Sequence, residues 1–203
     1  MGTVIIDYNG IPGESDKIRR LAQEVYKKLL DAYKNASEMR VCWYGKRYNE
    51  LITNFNNVAP VLNEYLKVVV TEIPYMFDEI ANEISNFDIQ QNVTTARKDE
   101  FQKIQEISII NDVGMRYLQN EVVNYQTNIE ADFNTVKDYM SLIQKIVNQM
   151  QLQCDGSDEF RTQFKKFVDS FKQVLDNIQT SFTKLMNQDR EEMESAEKAN
   201  TVN

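Results

Sequence analysis

Four runs of apolar residues, spaced by three and four positions, are the feature that most constrains the fold of this chain. The runs cover residues 18–43, 48–87, 118–150 and 160–185. Spacing that averages 3.5 residues places one apolar stripe along each helix, as packing between helices requires. No run alternates apolar and polar residues for long enough to suggest a sheet. The sequence therefore predicts an all-α protein built from four long helices.

Glycine marks the two breaks that divide these runs into pairs. Trp43-Tyr44-Gly45 separates the first run from the second, and Cys154-Asp155-Gly156 separates the third from the fourth. The whole chain of 203 residues has only 6 glycines and 3 prolines, so few other turns are available. We therefore expect two long antiparallel helical hairpins, each with one turn, packed as a four-helix bundle with a short connecting helix.

The expected organisation has three parts that form one compact unit. Residues 1–90 form the first helix-turn-helix hairpin, 91–113 form a connector, and 114–203 form the second hairpin. The spacing of Phe101, Ile104, Ile107 and Ile110 predicts a short connecting helix at residues 95–110. The stretch 111–114, Asn-Asp-Val-Gly, predicts a break before the third long helix.

Two prolines lie inside the second run. Pro60 and Pro74 each follow an inward position, Ala59 and Ile73, so both are expected on the outer face of one continuous, curved helix. The alternative is a true break just before Pro74, with Thr71 as the N-terminal cap of a new helix.

Charge and composition exclude several classes of function. The chain carries 23 basic and 31 acidic residues, for a net charge of -8, whereas nucleic-acid and anionic-membrane binders need a basic surface. It has no histidine, which removes Ser-His-Asp and Cys-His catalysis and the usual ligand of zinc and iron. Its 2 cysteines are too far apart in sequence for a metal knuckle. We expect no catalytic residues, no metal, no cofactor and no enzymatic activity.

The N-terminal residues lack the charged and apolar regions of a secretory signal peptide, so a cleaved signal peptide is not expected. No apolar stretch reaches the roughly 20 residues that a membrane-spanning helix needs. Membrane insertion is therefore not expected.

The two predicted hairpins are similar to each other. Gly45 corresponds to Gly156, and the apolar positions that follow match with an insertion of one residue. The matched pairs are Tyr48 with Phe160, Ile52 with Phe164, and Phe55 with Phe167. Duplication of one hairpin explains this match. The alternative, that any four-helix bundle shows similarity of this kind, stays open.

A W-x-G turn between two long amphipathic helices resembles the WXG-motif family of helical hairpins exported by type VII (early secreted antigen) secretion systems. Trp43-Tyr44-Gly45 carries this resemblance, and the rest of the chain resembles the family in architecture, as a tandem fusion. The resemblance implies a protein that is secreted without a cleaved signal peptide and is present in the cytoplasm before export. It also implies partners: the membrane ATPase of the secretion machinery, and another helical secreted protein.

The resemblance also implies site residues. Trp43 and Gly45 form the recognised turn, while Cys154 and Gly156 form a degenerate turn that keeps glycine and lacks tryptophan. Family members carry an export signal, Y-x-x-x-[D/E], which Tyr75 and Glu79 match late in the second helix. A second match runs from Tyr117 to Glu121, and two matches are no more than composition alone produces. Tyr75 also fits a plain aromatic residue on a helix surface.

Several expectations follow for the whole protein. Trp43 also fits a side chain that caps one end of the bundle, so we expect its truncation to affect export more than folding. The chain should be a monomer, or only a weak dimer, with an internal antiparallel pseudo-dimer in which Cys42 and Cys154 are far apart and both free. In the alternative, an up-down-up-down bundle, the two turns lie at the same end and the two cysteines are neighbours. The function expected is that of a substrate or an accessory, partner-binding protein of type VII secretion. The alternative is an intracellular structural or adaptor protein with coiled-coil packing, in which the W-x-G sequence is accidental.

Overall fold

The computed structural model describes residues 5–111 and 114–201, with the side chains of residues 197 and 199–201 left aside. The helices are α1 (Ile11–Glu38), α2 (Lys46–Leu66), α3 (Ile73–Ile89), α4 (Gln119–Gln149) and α5 (Ser157–Thr201). A short 3-10 helix, Met39–Val41, follows α1, and a π-helix, Lys67–Glu72, joins α2 to α3. Four strands of two residues each complete the secondary structure: β1 (Ile5–Ile6), β2 (Trp43–Tyr44), β3 (Arg116–Tyr117) and β4 (Leu152–Gln153).

The all-α prediction is confirmed in the described residues. The predicted apolar stripes of α1 and α4 are buried almost throughout, because their spacing keeps one face of each helix turned inward. In α4 the buried stripe is Val122, Ile129, Phe133, Val136, Met140, Ile143 and Val147, and Met150 continues it directly after the helix.

The second helical stretch runs on through both prolines, but its hydrogen bonding changes before Pro74. In the π-helix the N–H of Ile73 bonds to the carbonyl of Val68, five residues earlier. In a regular helix proline lacks the N–H that would bond to the carbonyl four residues earlier, and its ring clashes with that carbonyl. The wider π turn moves the carbonyl away and relieves the clash. The prediction of continuity is therefore confirmed, although the helix is not regular throughout.

The π-helix corrects the register predicted beyond it. It inserts one extra residue, which rotates the following helix by about 100°. Phe77 and Ala81 are consequently buried where Met76 and Ile80 were expected, and Phe87 is 92% exposed although it was expected to face inward. Pro60 is exposed as predicted, but Pro74 is buried, so its expected outward position is wrong.

The connecting helix predicted at residues 95–110 is absent, because this segment is extended. Its backbone bonds to side chains of the helices instead of to itself. Asn56 pairs with Ile107 twice: its Nδ2 donates to the Ile107 carbonyl and its Oδ1 accepts from the Ile107 N–H, both at 2.8 Å. Burial of Ile104, which is 3% exposed, anchors the same stretch. Asn111 and Gly114 are non-helical, and residues 112 and 113 of the predicted break lie outside the described residues.

The chain divides into two compact units, and each unit draws on both predicted hairpins. Unit 1 comprises Met1–Lys27, Leu62–Lys103 and Thr135–Lys172. Unit 2 comprises Lys28–Val61, Ile104–Asn134 and Gln173–Asn203.

Unit 1 packs the beginning of α1 against α3 and the beginning of α5. Phe77 meets Phe160 edge to face, with ring centroids 6.0 Å apart. A buried ion pair joins α1 to α3, with Arg19 Nη2 2.5 Å from Asp78 Oδ2. β1 pairs with β4 in antiparallel register, Ile6 opposite Leu152.

Unit 2 packs the end of α1 against α2, α4 and α5. Phe55 lies at its centre, because its ring contacts Tyr33 at 5.1 Å and Phe133 at 6.1 Å between centroids. The hydroxyl of Tyr33 donates to the carbonyl of Phe55 at 2.7 Å. β2 pairs with β3 in antiparallel register, Trp43 opposite Tyr117.

Candidate recognition site at the Trp43 turn

Trp43 is completely buried in unit 2, with 0% of its surface exposed. Its ring stacks on Phe182 of α5, with centroids 6.1 Å apart. Tyr117 meets it edge to face at 5.8 Å, and Tyr48 of α2 lies tilted against it at 6.1 Å. Trp43 is thus a core aromatic, and its complete burial favours a large effect of truncation on folding. The expectation that truncation would affect export more than folding stays a prediction.

The indole nitrogen of Trp43 donates to a buried aspartate near the end of α5. Trp43 Nε1 lies 2.5 Å from Asp189 Oδ2, and Asp189 is 3% exposed. A buried indole N–H needs such an acceptor, and a buried carboxylate needs such donors. The run of acidic residues that begins at Asp189 predicts a solvated tail, and the burial of Asp189 corrects that expectation.

Arg47 completes this arrangement from the first turn of α2. Its Nη1 lies 2.5 Å from Asp189 Oδ1 and 2.7 Å from Glu192 Oε2, while its Nη2 also contacts Glu192. The guanidinium therefore holds two carboxylates of α5 in a forked geometry. The hydrogen bonds that Arg47 donates to Glu192 and Asp189 raise the pKa of Arg47, and the same bonds to Glu192 lower the pKa of that carboxyl.

Gly45 sets the geometry of the turn that carries Trp43. Its φ is +122°, a conformation that side chains rarely adopt, and its carbonyl accepts the N–H of Asn49 at 3.1 Å to begin α2. The N–H of Leu118 bonds to the carbonyl of Cys42 at 2.9 Å, which extends the pairing of β2 with β3. Hydrogen bonds therefore hold the turn to α2 after Gly45 and to the β3 segment before it.

The second turn has the same construction in unit 1. Gly156 has a φ of +86°, and its carbonyl accepts the N–H of Phe160 at 2.9 Å to begin α5. In the strand pairing, Leu152 opposes Ile6 as Trp43 opposes Tyr117. By strand pairing Leu152 therefore takes the position of Trp43, whereas by distance from the turn glycine Cys154 does.

Tyr75 and Glu79 lie one turn apart on α3 in unit 1, whereas Trp43 and Gly45 belong to unit 2. The charge of Glu79 raises the pKa of the Tyr75 hydroxyl, so the two side chains interact. The ammonium of Lys98, in the connector, lies 4.7 Å from the centre of the Tyr75 ring. The two residues of the expected export signal are therefore neighbours, half-buried beside the connector.

An open groove of about 830 Å³ adjoins the first turn within unit 2. It is lined by Gly45, by polar residues at the start of α2, by part of α5 and by the end of the connector. Lys46, Asn49 and Ser181 are among the polar residues, and Ile109 and Leu185 are apolar. The groove offers a mixed surface of the kind found in recognition sites.

Asp189 and Arg47 are the site residues that sequence reasoning missed. One signal was available, because Asp189 continues the apolar stripe of α5 four residues after Leu185 and seven after Phe182. An acidic residue on an inward stripe needs a buried donor. Its partner Trp43 lies 146 residues away in sequence, so nothing local identified it.

Three further features of the described residues concern metal binding, the cysteines and membrane spans. Within residues 5–111 and 114–201 no cluster of three or more His, Cys, Asp and Glu residues could hold a metal ion. Both cysteines are free, as predicted, and the buried Cys42 thiol donates to the carbonyl of Met39 at 3.1 Å. Among the helices of those same residues, none combines the length and apolarity needed to span a membrane.

Comparison with protein-family models, with curated proteins and with solved structures found no match to this chain.

Proposed function

We propose that this chain is a non-enzymatic WXG-like protein, a substrate or partner-binding accessory protein of a type VII secretion system. In this proposal it leaves the cytoplasm without a cleaved signal peptide, and its partners are the membrane ATPase of the machinery and another helical secreted protein. It acts by recognition and packing.

The construction of the Trp43 turn carries the proposal. A W-x-G sequence stands between two long helices, its glycine adopts a φ of +122°, and its tryptophan fills a core. Each residue of the motif thus has a structural role that its chemistry explains. Both residues thus lie where the resemblance expects them, between two long helices.

We further propose that the two hairpins pack as a fused pseudo-dimer in one four-helix bundle. Buried positions of α1 recur in α4 at a constant offset of 111 residues: Ile11 and Val122, Ile18 and Ile129, Leu29 and Met140, Ala36 and Val147. Met39 and Met150, each directly after its helix, keep the same offset. Gly45 and Gly156 keep the same offset.

The strand pairings support the same arrangement. The turn strand of the first hairpin, β2, pairs with β3, which leads into the second hairpin. The turn strand of the second hairpin, β4, pairs with β1, which leads into the first. Reciprocal contacts of this kind are typical of a two-fold interface.

The recognised surface would be composite. Trp43 itself is buried, so a receptor would meet the backbone of the turn together with Arg47 and Glu192, which are 21% and 57% exposed in their side chains. In the WXG family the turn and the tail of a partner form the recognised surface together. Here the end of α5 contacts the turn within the same chain.

Secretion in the native host tests the proposal. The protein should accumulate in the culture supernatant of the parent strain and be lost from it when the secretion ATPase is deleted. Retention in the cytoplasm of both strains would favour the intracellular structural or adaptor role. The presence of a gene for such an ATPase beside this one is a first, simpler check.

Point variants locate the export signal. Arg47→Ala and the pair Tyr75→Ala with Glu79→Ala should each lower secretion if they touch the signal. Tyr117→Ala with Glu121→Ala tests the second match, and Lys17→Ala, an exposed ion-pair residue of α1, is the control. Cytoplasmic levels of every variant must be measured, because a folding defect also lowers secretion.

A further inference from the structure

In unit 1 the connector lies against α1, the π-helix and α3. The hydroxyl of Thr71 donates to the carbonyl of Asp99 at 2.6 Å, and Arg19 Nη2 donates to the carbonyl of Arg97 at 3.2 Å. Phe101 packs edge to face on Tyr26, with centroids 5.8 Å apart. The connector segment 93–103 is therefore an extended peptide seated on two helices.

The same segment is fixed at its start by an amide and in its middle by an ion pair. Asn82 Oδ1 accepts the N–H groups of Val93 and Thr94, both at 3.1 Å. Arg19 Nε lies 3.0 Å from Asp99 Oδ2, and the Arg19 side chain is only 7% exposed. Hydrogen bonds between its backbone and the side chains of the helices hold this segment in place. The buried guanidinium of Arg19 favours an acidic residue at position 99.

The second half of the repeat has a corresponding groove within unit 2, between α4 and α5. Its volume is about 890 Å³, and it is open. Glu130 lines it from α4, while Thr183, Asn187 and Glu191 line it along one face of α5. At the offset of 111 residues Glu130 corresponds to Arg19, so the two grooves are equivalent positions of the repeat.

The charge at this position is reversed between the grooves. Glu130 accepts a hydrogen bond from Gln126 Nε2 at 2.8 Å, and no basic side chain in the described part of the chain pairs with it. The lining also contains Asp176, Glu191 and a single cation, Lys184. Where Arg19 binds an acidic residue of the connector, the half-buried Glu130 suits a basic one.

We propose that the α4–α5 groove binds an extended segment of a partner protein, with an arginine or lysine at the place that Asp99 occupies in the connector. Hydroxyl and amide groups of Thr183 and Asn187 would bond to the backbone of that segment, as Thr71 and Asn82 do in unit 1. The connector of a second copy is not the occupant, because its Asp99 would face Glu130. The proposal does not depend on export.

Two synthetic peptides test the charge rule on the full-length protein. One is residues 93–103 of this chain with Asp99→Arg, and its matched control is the same segment unchanged. Fluorescence anisotropy should show at least about tenfold tighter binding of the Asp99→Arg peptide, the effect of about 1.4 kcal/mol. In a Glu130→Arg protein the preference should reverse.

Asp138→Arg is the matched control protein, because Asp138 is an exposed residue of the same helix outside the groove. It makes the same change in net charge and should leave the preference unchanged. Failure of both peptides to bind at about 1 mM, or a preference that survives Glu130→Arg, would overturn the proposal.

NMR chemical shifts of backbone amides distinguish binding in the groove from non-specific charge attraction. The Asp99→Arg peptide should shift the amides of Thr183 and Asn187, and shifts confined to other surfaces would contradict the assignment. Sedimentation tests whether a second copy of the chain occupies the groove. A dimer of the wild-type chain that Glu130→Arg abolishes would assign the groove to a second copy and reject a partner protein.

Discussion

At the scale of single residues, Trp43 illustrates what a motif can and cannot predict. The W-x-G spacing correctly placed Trp43 and Gly45 at a helix-helix turn. It could not predict the depth of burial, since Tyr117, Phe182 and Asp189 reach Trp43 from distant parts of the sequence. Long-range contacts of this kind depend on tertiary packing and leave no local pattern.

Trp43 substitutions should therefore destabilise the protein strongly. Trp43→Ala removes a fully buried aromatic and should lower the free energy of unfolding by about 3–5 kcal/mol. Trp43→Phe keeps an aromatic ring but removes one donor to Asp189, for a loss of about 1–3 kcal/mol. Urea denaturation measures both, with the exposed Phe87→Ala as a control that should stay within about 0.5 kcal/mol of wild type. A loss below about 1 kcal/mol for Trp43→Ala would contradict core placement.

The ion pair between Arg47 and Glu192 should make the free energy of unfolding depend on pH. The folded pKa of Glu192 lies below its ordinary value of 4.5, so this group stabilises the fold above that pH. Its contribution is lost as the pH falls through the lowered folded pKa. Glu192→Gln should thus be less stable than wild type at pH 7, and the difference should narrow at pH 3. Urea midpoints at the two pH values check this, and a difference that widens in acid would have the wrong sign.

At the scale of elements, helices and turns were predictable and the connector was not. The stripes of α1 and α4 specify their buried faces because a regular helix repeats every 3.6 residues. The π-helix broke that rule before Pro74, and its added residue moved the inward positions of α3 from Met76, Ile80 and Ile84 to Phe77, Ala81 and Ser85. Phe101, Ile104, Ile107 and Ile110 have helical spacing, yet Asn56 and Thr71 offer the connector bonds that favour an extended chain.

The first turn should tolerate no side chain at Gly45. Gly45→Ala forces a Cβ into a φ of +122° and should lower the free energy of unfolding by about 1–2 kcal/mol. Gly13, inside α1, has open space around its Cα, so Gly13→Ala should raise stability by up to about 1 kcal/mol. Thermal unfolding of the pair measures both, and equal effects would argue against backbone strain at the turn.

The seat of the connector on α2 depends on Asn56. Asn56→Ala leaves the N–H and carbonyl of Ile107 without their partner and should lower the free energy of unfolding by about 1–3 kcal/mol. Trypsin should then cleave the connector faster at Lys103. Asn57→Ala, its exposed neighbour, is the matched control and should change neither result. Unchanged cleavage in Asn56→Ala would show that other contacts hold the segment.

At the scale of the whole molecule, the two compact units cut across the two predicted hairpins. α1, α2, α4 and α5 each pass from one unit into the other without a break in the helix. Helix formation is cooperative along the chain, so unfolding in one unit removes support from helices shared with the other. The division into residues 1–90, 91–113 and 114–203 remains a prediction about sequence repeats.

Shared helices should give one unfolding transition. Trp43, the single tryptophan, reports on unit 2 through its fluorescence, and a dye on the half-buried Cys154 reports on unit 1. The two urea transitions should coincide with each other and with the loss of helical circular dichroism. Separate midpoints would show that the units unfold independently. Sedimentation of the same sample should give a monomer.

The matched positions of the two halves have a consequence for how this sequence can vary. In a dimer of identical chains, every substitution is made twice, once on each side of the symmetry axis. In a single chain it is made once, so one site can change while its counterpart keeps its role. Trp43 and Leu152 share a strand position, and Arg19 and Glu130 share a helix position, with opposite chemistry in the second pair. In the proposed fused pseudo-dimer, one fold could therefore present two different surfaces to two different binding partners.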